Sequence, residues 1–386
     1  MNRLPVRALT RGPKHHWFGY YDKQGFDSTG RYVLGMEVEF ENRSPRPDDE
    51  ISIGMIDLQD GDRWIELGRS TAWCWQQGCM LQWRPGIERQ VLWNDRQEDG
   101  FVCQVLDVET GVRRTLPGPV YTVSPDGMTA FSTDFSRLNH LRPGYGYAGI
   151  ADPNEHRFAP EDTGIWRMDM ESGERELIVS VADIAATSCP DGDTSRAMHY
   201  FNHLLVNPDG TRLEFLHRRR PEGSAERVTR MLTCAPDGRD IRVVDDCGVT
   251  SHFIWHDTAH ILAWSCAHSS RGDFCMFDER TGESEPVGTR LMTEDGHVNC
   301  LPGAEWLMND TYPDANRVRT LYVYHMRRGE RVDIGTFLSP RPYDGEWRCD
   351  LHPRLSPDGR RVSIDSVHEG HGRQIYLIDL NEVIGG

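Results

Sequence analysis

The sequence contains no apolar run approaching the ~18 residues that a membrane-spanning helix needs. Its first residues, Met-Asn-Arg-Leu-Pro-Val-Arg, contain no apolar core of a secretion signal. The paired Cys-x-x-Cys knuckles of structural zinc sites are also absent, although the chain has 10 cysteines. These absences predict a cytoplasmic protein with no membrane partner, whose cysteines are reduced and are mostly small core residues.

Positive charge is also scarce. The 386 residues include 60 Asp and Glu against 43 Lys and Arg, which gives a formal net charge of -17 at pH 7. Nucleic-acid binding requires a basic face that neutralises phosphates, so we expect no nucleic-acid partner. An acidic sugar stays compatible with this charge if the pocket that binds it concentrates Arg and His. No pattern in the sequence indicates an oligomeric state.

Long amphipathic helices are missing, whereas turn residues and tryptophan are plentiful: 37 Gly, 22 Pro and 11 Trp. A Pro-Asp-Gly turn recurs at 125–127, 208–210, 236–238 and 357–359. A second turn, Asp-x-x-Thr/Ser-Gly, recurs at 107–111, 169–173 and 278–282, each time after a short strand pattern. In such turns Asp hydrogen-bonds back to the chain and Gly takes the positive φ that closes a hairpin. The sequence therefore predicts many short antiparallel strands.

These units repeat at intervals typical of the four-stranded blades of a propeller. Units placed at turns near residues 27, 85, 126, 209, 257, 302 and 358 give seven blades. The sequence thus predicts an all-β, seven-bladed β-propeller that forms a single domain over residues 1–386. An insertion at about 139–160, rich in Gly, Pro, Tyr and His, could form a rim or lid, and its His140 is a candidate acid or base.

One group of candidate metal ligands lies in three consecutive predicted blades, at near-regular spacing: His252, His297, Cys349 and His352. The innermost strands of a propeller converge on its axial channel, so distant residues can share one site there. Imidazole with thiolate suits Zn²⁺ or a similar divalent ion. The alternative is that these residues pack between blades and hydrogen-bond to backbone groups.

A second group combines Tyr200 and His203 with Arg218 across the turn at 208–210. A base beside an Arg suits proton abstraction from a carbon that a neighbouring carboxylate acidifies, because the Arg neutralises that carboxylate. The alternative is that the Arg run at 218–220 is a solvated edge.

A third group begins with the segment His-His-Trp-Phe-Gly-Tyr-Tyr-Asp at 15–22. Its His16 and Tyr20 are candidate substrate-binding residues on a rim that stacks against sugars, and Arg354 is a third candidate. Alternatively, the segment is the strand that closes the ring of blades.

These segments resemble the β-propeller polysaccharide lyases, especially the oligogalacturonate lyases and more loosely the ulvan lyases. The resemblance is carried by Asn202-His203 with Arg218, by His252, by Glu294-Asp295-Gly296-His297, and by Cys349-Asp350-Leu351-His352-Pro353-Arg354. Oligogalacturonate lyases are seven-bladed, typically cytoplasmic enzymes that hold a divalent metal through His residues and a Gln.

Their last metal segment has the form Gln-x-x-His-x-His. The resemblance implies that Cys349 stands in place of Gln, that His352 matches the first His and that Arg354 replaces the second. It also implies that His297 is a metal ligand from an earlier blade and that His252 is a pocket His. A thiolate ligand would shift the preferred ion from Mn²⁺ toward Zn²⁺.

The implied reaction is β-elimination on an oligosaccharide that contains uronic acid, a step in polysaccharide degradation. A metal or Arg218 would bind the carboxylate and stabilise the enolate-like charge. His203, or Arg218 if deprotonation is local, would take the C5 proton, and His203 is preferred because an ordinary Arg stays charged. Tyr200 or a water would protonate the departing O4.

The alternative function is a non-catalytic, TolB-like propeller that binds a protein or a carbohydrate. A third function, the propeller of a serine peptidase, is disfavoured because the sequence has neither a Gly-x-Ser-x-Gly elbow nor room for an α/β-hydrolase domain.

Overall fold

Seven antiparallel sheets of four strands each form the framework of the computed structural model, which describes residues 4–98, 100–190 and 192–384. The first sheet contains β2 (His15–Trp17), β3 (Tyr32–Val38), β4 (Ile51–Asp57) and β5 (Arg63–Ser70). The second contains β6 (Gln82–Trp83), β7 (Gln90–Gln97), β8 (Gly100–Asp107) and β9 (Arg113–Leu116). The third contains β10 (Thr122–Val123), β11 (Thr129–Ser132), β12 (Gly164–Asp169) and β13 (Arg175–Ser180).

The remaining sheets follow in the same order along the chain. The fourth contains β14 (Ala197–Val206), β15 (Leu213–Pro221), β16 (Val228–Cys234) and β17 (Arg242–Gly248). The fifth contains β18 (Thr250–Trp255), β19 (His260–Ser265), β20 (Asp273–Asp278) and β21 (Ser284–Val287). The sixth contains β22 (Asn299–Cys300), β23 (Trp306–Asp310), β24 (Val318–His325) and β25 (Glu330–Leu338). The seventh contains β26 (Arg354–Leu355), β27 (Arg361–Ser366), β28 (Gln374–Asp379) and β1 (Val6–Ala8).

Ring closure is made by the first strand of the chain. Strand β1 pairs with β28, with Val6 opposite Ile378 and Ala8 opposite Tyr376, so that the two ends of the chain share one blade. The alternative that the segment at 15–22 closes the ring is therefore wrong, since β2 is instead the first strand of the first blade. The prediction of an all-β, seven-bladed β-propeller is confirmed.

The predicted turns explain the connections within the blades. Each of the seven turns from which blades were counted joins the first strand of a blade to its second. At one of them Asp126 accepts hydrogen bonds from Ser124 Oγ (2.5 Å) and from the amide of Met128 (3.0 Å), while Gly127 has φ +76°. The Asp-x-x-Thr/Ser-Gly turns join third to fourth strands. Local turn chemistry thus fixes the register of each hairpin.

Three short α-helices accompany the strands in the described residues: α1 (Phe135–Leu141), α2 (Val181–Ala185) and α3 (Asn381–Ile384). Helix α1 begins the segment between β11 and β12, where the insertion was predicted. Asp134 caps it by accepting from the amides of Ser136 and Arg137. Within the segment the Phe135 ring stacks on Tyr147 at 4.2 Å between ring centroids, and Asn94 of β7 donates to the Tyr147 hydroxyl at 3.0 Å, which anchors the segment to the second blade. Among all the residues that the structure describes, no helix has the length and apolar character needed to cross a membrane.

Candidate functional site

The first strands of the last three blades deliver three imidazoles to one end of the axial channel. His252 lies on β18, and His297 and His352 lie just before β22 and β26. The His297 ring centroid is 4.3 Å from that of His252 and 4.2 Å from that of His352. Tyr21, which follows β2, packs against His297 at 5.2 Å and hydrogen-bonds through its hydroxyl to the backbone of Phe253. The structure thus brings these three histidines together, as their spacing along the chain suggests.

His297 is held by a carboxylate on its far side. Its Nδ1 lies 2.9 Å from Asp310 Oδ1, and its backbone amide donates to the same oxygen at 2.7 Å. Gly296 permits this approach, because a Cβ there would collide with the Asp310 carbonyl. Burial opposes the charge on His297, but the Asp310 carboxylate and others nearby outweigh burial and raise the pKa. Because Nδ1 is occupied, Nε2 is the atom free to bind a ligand.

Asp350 completes a group of three possible metal ligands. The candidate ligand atoms of His297, Asp350 and His352 all lie within 4.8 Å of one another, and all three residues are buried. The Asp350 carboxylate lies 2.6 Å from Arg319 Nη2 and 2.7 Å from Arg348 Nε. Burial opposes its charge, but these two guanidinium groups outweigh burial and hold its pKa well below the usual range. A permanently ionised carboxylate therefore sits beside two imidazoles.

Cys349 does not join this group, in contrast to the role predicted for it. It is 1% exposed, and burial raises its pKa to about 12, so it is a protonated thiol at neutral pH. The segment runs beside β27, where Leu351 accepts from the amide of Asp365. Asp350 and His352 lie close enough to hold one ion, whereas the Cys349 thiol feels mainly the charges of Arg373, Asp365 and Glu41.

His252 lies next to the three-residue group without being a member of it. Its Nδ1 is 2.9 Å from Asp295 Oδ1, and burial lowers its pKa despite that carboxylate. His252 is therefore a neutral pocket histidine in contact with His297, and its assignment as a metal ligand stays a prediction.

A polar cavity of about 930 Å³ lies next to the ligand group at the mouth of the channel, although none of the three ligands lines it. Among its lining residues, Arg348 bonds to the ligand Asp350, and Asp295 bonds to the neighbouring His252. Its aromatic lining consists of Tyr145, Tyr312 and Trp264, and its charged lining consists of four arginines and four acidic residues: Arg142, Arg218, Arg227, Arg348, Glu226, Asp295, Asp344 and Glu346. The charges of the lining balance overall, but Arg142 and Arg348 both lie against the Tyr145 ring, which concentrates guanidinium groups on that side of the cavity.

Arg218 lines this cavity, and two hydrogen bonds fix the orientation of its guanidinium group. Its Nε donates to Asn202 Oδ1 and its Nη1 donates to Thr229 Oγ1, both at 2.7 Å. Burial and then the nearby Arg142 lower its pKa to about 10, which leaves it charged at neutral pH. Strands β14 and β15 place Tyr200 directly opposite Arg218, so the two predicted segments pair side by side. The Tyr200 hydroxyl is buried, and no described residue hydrogen-bonds to it.

Tyr145 is the most unusual titrating group of the pocket. Arg348 Nη2 donates to its hydroxyl at 2.6 Å, and the Arg142 guanidinium carbon lies 3.8 Å from its ring centroid. Burial raises the pKa of the phenol, but the charges of Arg348 and Arg142 outweigh burial and bring the pKa down to about 8. Arg142 itself has a buried Nε and Nη1 for which the described chain provides no hydrogen-bond partner.

His203, the predicted base, lies deeper in the channel and does not line the mouth cavity. Its ring stacks on Phe253 at 3.9 Å, and its Nε2 is 3.3 Å from Asp22 Oδ2. Burial lowers its pKa to about 4, which makes it a weak base. Tyr20 packs between His203 and His352, at 4.9 and 5.4 Å between ring centroids, so it borders the ligand group rather than the solvent. Tyr20 thus packs against the ligand His352, and His203 packs against Tyr20.

Three other predicted site residues lie elsewhere. His140 is exposed on α1. His16 is buried between Gln374 Oε1 and Glu37 Oε2, each 3.0 Å from a ring nitrogen. Arg354 is 2% exposed and pairs with Asp365 at 2.8 Å. None of the three lines the mouth cavity. The role of His140 as an acid or base and the substrate contacts of His16 and Arg354 stay predictions.

Arg354 instead has a structural role that can be measured. Asp365, its partner, also accepts from the amides of Phe18 and Gly19, which ties the first blade to the last. We expect Arg354→Met to lower the free energy of unfolding by roughly 3 kcal/mol, since it leaves a buried carboxylate without its countercharge. Denaturant unfolding would measure the loss. The double variant with Asp365→Asn should recover part of it, and unchanged stability of the single variant would contradict this role.

Several residues of the pocket were missed by sequence reasoning. Asp350 lies within the Cys-Asp-Leu-His motif at 349–352. Its spacing of two residues from His352 was the one sequence feature that could have identified it as a metal ligand. Tyr145 lay in the predicted rim, but nothing in the sequence paired it with Arg348, 203 residues away. Asp310 follows no recognisable motif.

No protein-family model matches the sequence. Among solved structures, the fold is similar to that of an oligogalacturonate lyase from Vibrio parahaemolyticus, with a TM-score of 0.68 and 16% identity over 98% of this chain and 94% of that chain. An oligogalacturonate lyase in complex with manganese gives a TM-score of 0.71 and 16% identity over 100% of this chain and 95% of that chain. The tricorn protease gives 0.54 and 12% identity over 97% of this chain and 35% of that chain. The likeness to the oligogalacturonate lyases that the motifs suggested is thus present in the fold.

Proposed function

We propose that the protein is a divalent-metal-dependent lyase that cleaves oligosaccharides containing uronic acid by β-elimination, as an oligogalacturonate lyase does. The observation that supports this most is one arrangement. Two buried imidazoles and an ionised carboxylate lie beside a cavity in which Arg142, Arg218 and Arg348 are close to Tyr145 and Tyr200. Guanidinium groups next to a candidate metal site suit a sugar that carries a carboxylate.

The residues fit a divalent cation. The Nε2 atoms of His297 and His352 are buried, and neither has a hydrogen-bond partner among the described residues. Buried polar atoms without a partner are costly unless something binds them. Two imidazoles and a carboxylate are acceptable to both Mn²⁺ and Zn²⁺, and with Cys349 outside the group the argument for preferring Zn²⁺ no longer applies. When bound, such a cation would withdraw charge from the substrate carboxylate and stabilise the enolate-like intermediate.

Arg218 would bind the carboxylate next to the carbon that loses its proton. Its hydrogen bonds to Asn202 and Thr229 fix its orientation before substrate arrives, which is the preorganisation that electrostatic stabilisation requires. Arg142, with two nitrogen atoms that lack partners, is suited to a second carboxylate of the same oligomer.

We assign the base role to Tyr145 rather than to His203. As the phenolate, Tyr145 would take the C5 proton; the electrons of the C–H bond form the C4–C5 double bond as the C4–O4 bond breaks. A base of pKa near 8 is better matched to this task at neutral pH than one of pKa near 4. Tyr200, opposite Arg218, or a water protonates the departing oxygen.

The direct test of this proposal is turnover. The protein would be incubated with pectic, alginate, ulvan and glucuronan oligomers, with Mn²⁺ or Zn²⁺ supplied, while ultraviolet absorbance follows the unsaturated product. We expect turnover on at least one acidic oligomer, and none on a neutral oligosaccharide of the same length. No absorbance change with any uronide would contradict the proposal and favour a binding role, above all if the purified protein carries no metal.

The pH dependence of turnover tests the role of Tyr145. If its phenolate is the base, kcat/KM should rise with pH and level off above a midpoint near 8, because the pKa of Tyr145 is about 8. Tyr145→Phe should lower kcat by ~10²–10⁴-fold, the usual contribution of a positioned base. The matched control is Tyr32→Phe on β3 of the first blade, outside the cavity lining, which should change neither value. If the pH dependence of kcat/KM is unchanged in Tyr145→Phe, another residue must be the base.

A further inference from the structure

Two half-buried cysteines face each other where the fourth blade meets the fifth. Cys247 lies near the end of β17, the last strand of the fourth blade, and Cys266 directly follows β19 in the fifth. Their sulfur atoms are 2.7 Å apart, and Cys266 Sγ is also 3.1 Å from the Cys247 carbonyl oxygen. Two thiols at this separation need move only slightly to reach the ~2.05 Å of a disulfide. Neither cysteine belongs to the proposed lyase site.

The backbone around the pair is firmly positioned. The amide of Cys266 donates to the Val249 carbonyl at 3.1 Å. The Asp245 carboxylate accepts from Thr250 Oγ1 at 2.6 Å and from Ser265 Oγ at 2.7 Å, which joins the two blades on either side of the sulfur atoms. The closeness of the thiols is therefore imposed by the surrounding hydrogen bonds.

We propose that Cys247 and Cys266 form a redox modification site, a dithiol that oxidises to a disulfide joining the fourth and fifth blades. The residues at 248–251 that follow Cys247 line the mouth cavity and lead directly to His252. Oxidation would fix this part of the cavity wall, and reduction would release it. The inference depends only on the geometry of the pair, and it holds or fails independently of the lyase activity.

The oxidant can be glutathione disulfide. One protein thiolate attacks it, which forms a mixed disulfide and releases one glutathione; the second protein thiolate then attacks the mixed disulfide and releases the other. Two protein thiols are oxidised, and the glutathione disulfide is reduced to two thiols. Burial, and then its hydrogen bond to Cys266, raise the pKa of Cys247 to about 12, so Cys247 is a slow nucleophile at neutral pH.

The test uses the full chain in glutathione buffers of increasing oxidised-to-reduced ratio, followed by alkylation, trypsin digestion and mass spectrometry. No Lys or Arg lies between residues 242 and 271, so both cysteines fall in one tryptic peptide, 243–271. We expect this peptide to lose two hydrogens and both alkylation sites as the ratio rises, and to recover them with dithiothreitol. The wild type should also gain a few degrees in Tm on oxidation.

Two variants and one matched site make the result decisive. Cys247→Ser and Cys266→Ser should each leave one alkylated cysteine in the peptide and show no gain in Tm. Cys189, also half-buried, should stay alkylated throughout. The proposal is overturned if both thiols of the folded wild type stay alkylated in buffers that oxidise the denatured chain. It is equally overturned if either thiol is only glutathionylated, with no internal bond.

Discussion

His297→Ala is expected to bind Mn²⁺ or Zn²⁺ at least ~100-fold more weakly than the wild type and to have no measurable lyase activity. The reason is that His297 supplies one of three buried ligand atoms. Removal of a residue that only hydrogen-bonds to a metal ligand already lowers metal affinity by ~10–100-fold. Loss of the ligand itself should lower the metal affinity further. Isothermal titration of the metal-free protein would measure the change.

Companion variants separate loss of the ligand from loss of the fold. His352→Asn is the safer second deletion, because His352 has φ +43° and Asn tolerates that backbone conformation better than Ala. Asp310→Asn should weaken metal binding by an intermediate ~10–100-fold, since it only positions His297. Cys349→Ser is the matched control and should bind metal as the wild type does. Loss of metal in that control as well as in His297→Ala would restore Cys349 to the ligand set that the sequence suggested.

Arg218→Met is expected to lower kcat/KM on the best uronide substrate by ~10²–10³-fold, comparable to the loss of one preorganised donor to a developing oxyanion. The Arg218 guanidinium is held in a fixed orientation in the cavity lining. A Met side chain of similar length keeps the packing but removes the charge. Most of the loss should fall on kcat, because the charge on the substrate carboxylate grows as the C5 proton leaves.

Two comparisons make the Arg218 result informative. Arg218→Lys should recover little, because one ammonium group cannot make both the Asn202 and Thr229 contacts and still face the substrate. Arg220→Met, two residues along the same strand and outside the cavity lining, should leave kcat/KM unchanged. A change confined to KM in Arg218→Met would show that Arg218 only binds substrate.

The propeller was predictable because its signals are local. Asp126 and Gly127 form a turn with their immediate neighbours, and repetition of that chemistry at regular intervals leaves few alternatives to blades. The convergence of His252, His297 and His352 was predictable for a related reason, since first strands of successive blades face one channel.

The chemistry of the pocket was harder to predict because it depends on direction and on long-range contacts. The choice between Cys349 and Asp350 turns on which of two adjacent side chains faces the channel, and a motif by itself does not state this. His203 was a reasonable base by residue type, yet burial beside Phe253 makes it a weak one. Tyr145 acquires its low pKa only when Arg348 folds against it.

The most direct measurement is anomalous diffraction from crystals of the protein soaked in Mn²⁺. If the three buried side chains form the metal site, one strong peak should lie at bonding distance from His297 Nε2, His352 Nε2 and an Asp350 carboxylate oxygen, with Cys349 Sγ out of reach. A channel without a peak at saturating Mn²⁺, or a peak bonded to other residues, would contradict the proposed metal centre and the lyase mechanism that depends on it.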